Sequence, residues 1–297
     1  MNCNICPHNC NADRQSKFGA CQAPADFKIS HMQLHHWEEP CISGTNGSGT
    51  IFFSHCNLKC VFCQNYNISQ QGYGKIISEQ EFINLCKKLK DQGAHNINLV
   101  SPTCYSHLLI KILPEIKTKT NLPIIWNSNA YEKSETIKQF NNIIDVYLPD
   151  FKYYDSNLAV KYSQAPNYFK HALAAITEMV KQVGEVKIDK DGLIKKGVII
   201  RHLVLPGEIQ DSKKVLAVIK ENFNNKIWVS LMSQYYPAHN AVNYSEINRT
   251  LSKDEYNEIK GYYESLDFAN GYSQELDSAE KKYTPNFNLN TLKMKTK

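Results

Sequence analysis

The chain has 297 residues, of which 42% are hydrophobic and 21% charged, so it can bury a core and is not compositionally disordered. Its 34 Lys and Arg against 29 Asp and Glu give a net charge of +5, far below the concentrated positive charge of a nucleic-acid-binding protein. No apolar run approaches the ~18 residues that span a bilayer, and the first residues lack a signal-peptide pattern. We therefore expect a soluble, cytoplasmic protein with neither nucleic acid nor membrane as a partner.

Apolar, β-branched runs predict strands, and the amphipathic patterns between them predict helices. In chain order these are strand 50–55, helix 78–93, strand 96–101, helix 106–119, strand 123–128, helix 134–142, strand 143–149, helix 169–184, strand 198–205, helix 211–223 and strand 226–232. Repeated β-then-α units favour an α/β fold with a parallel sheet and right-handed crossovers, and six units are too few to close an ordinary eight-stranded barrel. We expect a Cys-rich extension over 1–45, the α/β unit over 46–265 and a tail over 266–297.

Three cysteines in the string HCNLKCVFC follow the first predicted strand: Cys56, Cys60 and Cys63. Offsets of 0, 4 and 7 let three thiolates on one tight loop face a single centre, and soft thiolates suit zinc or iron–sulfur clusters. A structural zinc site requires a fourth ligand, and His55 is badly placed to supply it beside Cys56. Three thiolates on a cubane leave one iron open for a substrate or cofactor, as an open zinc position does in catalytic sites.

Four more cysteines lie in the first 21 residues: Cys3, Cys6, Cys10 and Cys21. Their spacing predicts a second soft-metal site. A zinc knuckle, an auxiliary iron–sulfur cluster, and a thiol switch or empty site remain the alternatives. Cys86 and Cys104 are isolated, and Cys86 falls on the apolar side of a predicted helix, where a buried free thiol is expected.

The central motif resembles a known family. CNLKCVFC fits the CxxxCxxC pattern of radical S-adenosylmethionine (SAM) enzymes, including the aromatic Phe62 before the last cysteine. The longer string EPCISGTNGSGTIFFSHCNLKCVFCQNYNISQQG, with NINLVSPT, WNSNAYE, VYLPDFKY and IIRHLVLPG, resembles the pyruvate formate-lyase activating enzyme-like branch over about residues 3 to 265.

The resemblance implies a partial (β/α)6 barrel in which Cys56, Cys60 and Cys63 bind a catalytic [4Fe–4S] cluster. It also implies that S-adenosylmethionine binds the open iron and is cleaved to a 5′-deoxyadenosyl radical. A low-potential electron donor of the flavodoxin or ferredoxin type is implied as a partner. A backbone glycine of another protein is the implied substrate, with a small molecule or peptide as the alternative.

Polar residues at the predicted strand ends are candidates for binding the cofactor. Asn98 stands where related enzymes often carry GGE, a triplet that this chain lacks. Asn127 and Asn129 are two apart and so share one side of a strand, although turn asparagines would give the same pattern. Asp150 and Lys152 are also two apart, and the resemblance implies that the lysine meets the cofactor carboxylate.

The fifth predicted strand carries Arg201 and His202 among apolar residues. A charge in a central strand requires a partner or a ligand. His202 is a candidate for cofactor binding, with a hydrogen-bonded core histidine as the alternative.

A rival interpretation from another class is a non-catalytic, zinc-stabilised binding module, for example for RNA. The modest positive charge and the lack of a base-stacking motif count against it.

Overall fold

The computed structural model describes residues 3–276 and 286–293. Within them the strands are β1 (Phe27–His35), β2 (Ser48–Phe53), β3 (Lys75–Ile77), β4 (Ile97–Val100), β5 (Ile124–Ser128), β6 (Val146–Pro149), β7 (Lys187–Ile188), β8 (Ile194–Leu203), β9 (Trp228–Met232) and β10 (Gly271–Ser273). The α-helices are α1 (Pro40–Ser43), α2 (Tyr66–Ser69), α3 (Glu79–Asp91), α4 (Ser106–Thr120), α5 (Ser134–Lys138), α6 (Ser156–Ser163), α7 (Tyr168–Val183), α8 (Ile209–Phe223) and α9 (Lys253–Ser265).

The sheet is mostly parallel and runs in the order β10-β9-β8-β6-β5-β4-β2-β1-β3. The strands β2, β4, β5, β6, β8, β9 and β10 are parallel to one another, and helices connect most of them. The first six overlap the six predicted strands. β10 and β3 end the sheet without pairing with each other, so the predicted open partial barrel is confirmed.

Antiparallel strands complete one edge of the sheet. β1 pairs with β2 on one side and β3 on the other, so residues from the predicted extension belong to the same sheet as the barrel. A register shift between Ile29 and His31 interrupts β1. β7 forms a hairpin with the start of β8.

The long helices are amphipathic and bury one face against the sheet. α3 begins with a capping box in which Ser78 and Glu81 satisfy each other's backbone N–H groups. Its buried face carries Phe82, Leu85 and Leu89. Across the described part of the chain, every helix is too short or too polar to cross a membrane.

One end of the barrel interior is filled by α1. This helix ends at Ser43 and β2 begins at Ser48, so α1 lies at the amino ends of the parallel strands. Its residues Cys41 and Ile42 pack against the inward apolar side chains of three strands, namely Ile125 of β5, Val146 and Leu148 of β6, and Ile199 of β8. The cavity described next therefore has a closed lower end, which we call the floor and define by residues 38–43.

Candidate active site

A cavity of about 570 Å³ lies on the inner face of the curved sheet. Its size falls within the usual range for small-molecule sites. Alternate residues of neighbouring strands line it, as expected for side chains that share a strand face. They are Asn127 and Asn129, Asp150 and Lys152, Arg201 and Leu203, and Ser230, Met232 and Gln234.

The three central cysteines line the same cavity. β2 ends at Phe53, and His55, with a φ of 68°, turns the chain into the cysteine loop. Left-handed backbone at a non-glycine residue is uncommon, and such positions concentrate at functional sites. The structure therefore brings Cys56, Cys60 and Cys63 together at the carboxyl end of the first parallel strand.

Each of these thiols has a hydrogen-bonding side chain from another part of the chain. Such donors favour the thiolate form that a metal requires. The pairs are Asn129 Nδ2 to Cys56 Sγ at 3.2 Å, Ser163 Oγ to Cys60 Sγ at 3.0 Å, and Ser69 Oγ with Cys63 Sγ at 3.2 Å.

Burial has the opposite effect on the same thiols. It raises the pKa of Cys56 and of Cys60 to about 11, and it raises the pKa of Cys63. In the free protein near neutral pH the three therefore keep their protons. Metal binding must displace these protons, so loading of the site should release them and should weaken as the pH falls.

Asp150 and Lys152 form an ion pair beside the cysteine loop. Lys152 Nζ lies 2.7 Å from Asp150 Oδ2. Burial alone would lower the pKa of Lys152, but the Asp150 carboxylate together with Cys60 and Cys63 outweighs burial and raises that pKa. The Tyr168 hydroxyl fixes this turn, because it accepts the Lys152 N–H at 2.9 Å and lies 2.6 Å from the Asp150 carbonyl oxygen.

The asparagines of β5 have different surroundings. Asn129 Oδ1 accepts the Tyr131 N–H at 2.9 Å while its Nδ2 contacts the cysteine loop, so its amide positions Cys56. Asn127 lines the cavity nearer the floor, and its Nδ2 lies 3.4 Å from Glu38 Oε1.

Asn98 and His202 do not line the cavity. Asn98 is fully buried behind the floor, where its Nδ2 donates to Glu38 Oε1 at 3.0 Å and Ser48 Oγ at 3.2 Å. His202 is 1% exposed and alternates with Arg201 along β8, so it faces away from the cavity, with Nδ1 2.7 Å from the Phe151 carbonyl oxygen. Neither of these two predicted cofactor-binding side chains therefore faces the cavity, and His202 is a hydrogen-bonded core histidine.

Two floor residues were not among the predicted candidates. Glu38 and Glu39 both bond Arg201: its Nη2 contacts both carboxylates, and its Nε lies 3.1 Å from Glu39 Oε1. Burial opposes the charge on Arg201, but the two carboxylates raise its pKa. Two features of the sequence pointed to this ion-paired group. Glu38 and Glu39 are adjacent acidic residues directly before Pro40, and Arg201 is a charged residue inside a predicted strand.

Two of the N-terminal cysteines, Cys3 and Cys21, lie against Arg14. Its Nη2 lies 3.2 Å from Cys3 Sγ and 3.9 Å from Cys21 Sγ. A hydrogen bond with the Cys104 thiol lowers the pKa of Cys21 to about 6, although burial would raise it. Over residues 3–276 and 286–293, no three His, Cys, Asp or Glu side chains converge closely enough to hold a single metal ion.

An open α/β barrel with three thiols at the end of its first parallel strand defines a class of proteins that bind a metal cluster in a partial barrel. The chain belongs to the radical SAM superfamily, whose family model matches residues 50–219. It is therefore a radical SAM enzyme, and membership implies a [4Fe–4S] cluster, S-adenosylmethionine and a reductant. Three hydrogen-bonded thiols on one cavity wall fit such a cluster.

Similar proteins agree with this assignment. An uncharacterized protein of Methanocaldococcus jannaschii is 32% identical over 283 residues, which cover 93% of this chain and 76% of that protein. Spore photoproduct lyase, solved as a mutant, matches with a TM-score of 0.55 at 11% identity and covers 82% of this chain and 79% of its own.

Two further solved structures share the fold at low identity. Methylornithine synthase has a TM-score of 0.51 at 16% identity, covering 73% of this chain and 63% of its own. Streptococcus suis SuiB bound to precursor peptide SuiA has a TM-score of 0.51 at 16% identity, covering 76% of this chain and 48% of its own. The chain thus spans about half to two thirds of the length of these two enzymes.

Proposed function

We propose that Cys56, Cys60 and Cys63 hold the [4Fe–4S] cluster and that Asp150, Lys152 and Asn127 bind S-adenosylmethionine beside it. The observation that carries this proposal is that all six side chains line one cavity. Asn129 acts as a positioning residue for Cys56. Thiols of the N-terminal segment are proposed to take part in holding a second metal outside this cavity.

When bound, the cluster and S-adenosylmethionine supply a 5′-deoxyadenosyl radical that takes a hydrogen atom from the substrate. The chain's own residues bind and orient. The Lys152 ammonium, held by Asp150, is available to a carboxylate in the cavity through a charge-assisted hydrogen bond. The floor closes the cavity below, which restricts the access of water.

The substrate is proposed to be a glycine of another protein, as in pyruvate formate-lyase activating enzymes, with a flavodoxin or ferredoxin as the electron donor. The sequence resemblance supports this choice, and the fold neighbour SuiB was solved with a bound peptide. A small molecule or peptide is the second candidate, since a cavity of about 570 Å³ accommodates one.

Reductive cleavage of S-adenosylmethionine tests the site. With dithionite, the anaerobically purified protein should form methionine and 5′-deoxyadenosine slowly without substrate, and should show a broad brown absorption. Replacing any one of Cys56, Cys60 and Cys63 by Ala should abolish the cleavage and remove the part of the absorption that this cluster contributes. Full iron and sulfide content in the triple Ala variant would show that the cluster lies elsewhere.

Cofactor affinity tests Lys152. Lys152→Ala should weaken S-adenosylmethionine binding by roughly 10- to 100-fold, because a charge-assisted hydrogen bond contributes about 1.5–3 kcal/mol. Lys117→Ala is the matched control. Lys117 Nζ lies 2.6 Å from Asp145 Oδ1, and neither residue lines the cavity. Equal affinities in the two variants would remove Lys152 from the binding site.

Deuterium transfer tests the substrate class. Cells of the native host are grown with α-deuterated glycine, and their lysate is separated into protein and small-molecule fractions. The proposal expects deuterium in 5′-deoxyadenosine with the protein fraction alone. In a second experiment the cells are fully deuterated. If 5′-deoxyadenosine then gains deuterium with the small-molecule fraction and not with the protein fraction, the second candidate is favoured.

A further inference from the structure

A fifth thiol lies against the N-terminal cysteines. Cys104 is isolated in the sequence, but in the fold it follows β4 and is 2% exposed. Its thiol lies beside that of Cys21, which is 6% exposed, and the two thiols shift each other's pKa in opposite directions. A residue of the barrel and a residue of the Cys-rich segment thus meet through their sulfur atoms.

Arg14 connects these two thiols to a third. The same Arg14 guanidinium that contacts Cys3 and Cys21 through Nη2 donates through Nη1 to the Cys104 carbonyl oxygen. The Ala23 N–H points at Cys21 Sγ at 3.5 Å. Donors directed at sulfur stabilise metal-bound thiolates, which carry excess negative charge.

The remaining two N-terminal cysteines differ in position. Cys6 is partly buried, and its electrostatic neighbours are Cys21, Cys3 and Cys10 in that order. Cys10 is exposed, and its sulfur lies so close to Gly19 that a Cβ there would be 2.5 Å away. Cys10 therefore belongs to the outer surface of the segment.

We propose that Cys104 joins Cys3, Cys6 and Cys21 as the fourth ligand of a thiolate-bound soft-metal centre, with Arg14 donating to its sulfurs and Cys10 outside it. Four thiolates complete the ligand set of either zinc or an iron–sulfur cluster. Among the described residues, neither Cys56, Cys60 and Cys63 nor the thiols of this second group lie close enough together to hold a single ion. The distances between thiols therefore do not distinguish the second group from the central three cysteines.

The location of this centre gives it two consequences. The segment before β1 buries few apolar side chains, Ala12 and Ala23 among them, so metal binding would supply much of its folding free energy. His8 Nε2 lies 2.7 Å from the carbonyl oxygen of Asn57, the residue after Cys56. The centre therefore adjoins the cysteine loop of the cavity, and Cys104 attaches it to the barrel.

Metal analysis of the full-length protein tests the ligand set. The variant with Ala at 56, 60 and 63 is prepared anaerobically, so that any remaining metal reports on the second centre. It should retain about one zinc, or roughly four irons with sulfide, per chain, and these two results distinguish the two metals. Complete loss of metal in this variant would overturn the proposal.

Single changes in that background assign the fourth ligand. Cys104→Ala should lower the metal content at least tenfold, whereas Cys10→Ala and the matched buried thiol Cys86→Ala should retain it. Cys104→His should restore zinc, because imidazole replaces a thiolate as a zinc ligand, and a purely structural role for Cys104 would not give this rescue. Full metal content in Cys104→Ala, or loss in Cys10→Ala, would overturn the assignment. Circular dichroism confirms that each variant is folded.

Discussion

At the scale of single residues, the hydrogen bonds to the three cavity thiols would set the electronic properties of the proposed cluster as well as its position. Ser163 Oγ lies 2.6 Å from the Tyr153 hydroxyl and 3.0 Å from Cys60 Sγ, so the serine accepts from the tyrosine and donates to sulfur. A donor to sulfur stabilises the reduced, more negative cluster.

Ser163→Ala should therefore make the reduction potential of the cluster more negative. A hydrogen bond of about 1 kcal/mol corresponds to ~40 mV for a one-electron couple. A redox titration followed by electron paramagnetic resonance measures the shift. Ser212→Ala, a buried serine of α8 that does not line the cavity, is the control and should leave the potential unchanged.

His202 illustrates a buried titratable group with a structural effect. Its Nε2 has no hydrogen-bond partner, and burial lowers its pKa to about 4 from an ordinary value of 6.5. Protonation therefore favours the unfolded chain. The stability that depends on neutral His202 is present above pH 6.5 and is lost as the pH falls from there towards 4.

His202→Asn, which keeps a donor for the Phe151 carbonyl, should reduce this acid sensitivity. From the two pKa values, His202 alone should cost the protein about 2 kcal/mol between pH 8 and pH 5. Urea unfolding at both pH values measures the loss, which should be smaller in the variant. His36→Asn, at an exposed histidine, serves as the control. An equal loss in wild type and His202→Asn would contradict this account.

At the scale of elements, the floor depends on ion pairs between the segment before α1 and β8. The side chains of Arg201, Glu38 and Glu39 are 11%, 9% and 7% exposed. Removing one partner of a buried ion pair leaves uncompensated charge in the interior, which costs more than losing the contact itself.

Arg201→Leu should therefore lower the free energy of unfolding by about 3–5 kcal/mol. Adding Glu38→Gln and Glu39→Gln should recover much of this loss, because the stranded charges disappear. Lys213→Leu, which breaks the more exposed pair with Glu258, should cost less than about 1 kcal/mol. Denaturant titration of the variants decides the matter, and a triple variant no more stable than Arg201→Leu would contradict the explanation.

The elements also show what local sequence patterns can reveal. Parallel strands buried on both faces are short apolar runs, and the helices between them repeat every 3.6 residues, so both were predicted within a few residues. β1 escaped prediction because its bulge between Ile29 and His31 shifts the alternation of apolar residues from odd to even positions. β10 has only three residues, Gly271–Ser273, too few for any period.

At the scale of the whole molecule, the cysteine loop is attached to distant elements by its backbone. The Lys59 N–H donates to the Ser163 carbonyl at 3.0 Å, and the Val61 N–H donates to that of Tyr162 at 2.8 Å. The loop and α6 are therefore held together, and a metal bound to the loop would stabilise both.

Removing the cluster should accelerate hydrogen exchange locally. The Lys59 and Val61 amides should exchange at least tenfold faster in the apo protein, because local opening no longer has to release the metal. The amides of β4 and β5 should be unaffected. Mass spectrometry after chelation measures both sets. A uniform acceleration across the sheet would instead indicate that the cluster stabilises the whole barrel.

The candidate site was predictable to the extent that it depends on local spacing. Two-residue alternation was enough to place Asp150 with Lys152 and Asn127 with Asn129, and the cysteine motif identified three thiols that line the same cavity. The pairings of Arg201 with Glu38 and of Cys104 with Cys21 join residues 163 and 83 positions apart and exist only after the chain has folded. Asn98 faces Glu38 of the floor and not the cavity, and this contact between residues 60 positions apart is likewise invisible to local sequence patterns.

The floor also determines when the barrel can be completed during synthesis. Glu38 and Glu39 precede their partner Arg201 by 163 and 162 residues. At typical translation rates that interval lasts roughly 10–30 s. Throughout it the two carboxylates lack their cation, and α1 lacks part of the apolar surface that covers it. The residues synthesised first thus lack their partners until β8 has been synthesised. A nascent chain that ends before β8 therefore exposes incompletely covered strands to chaperones.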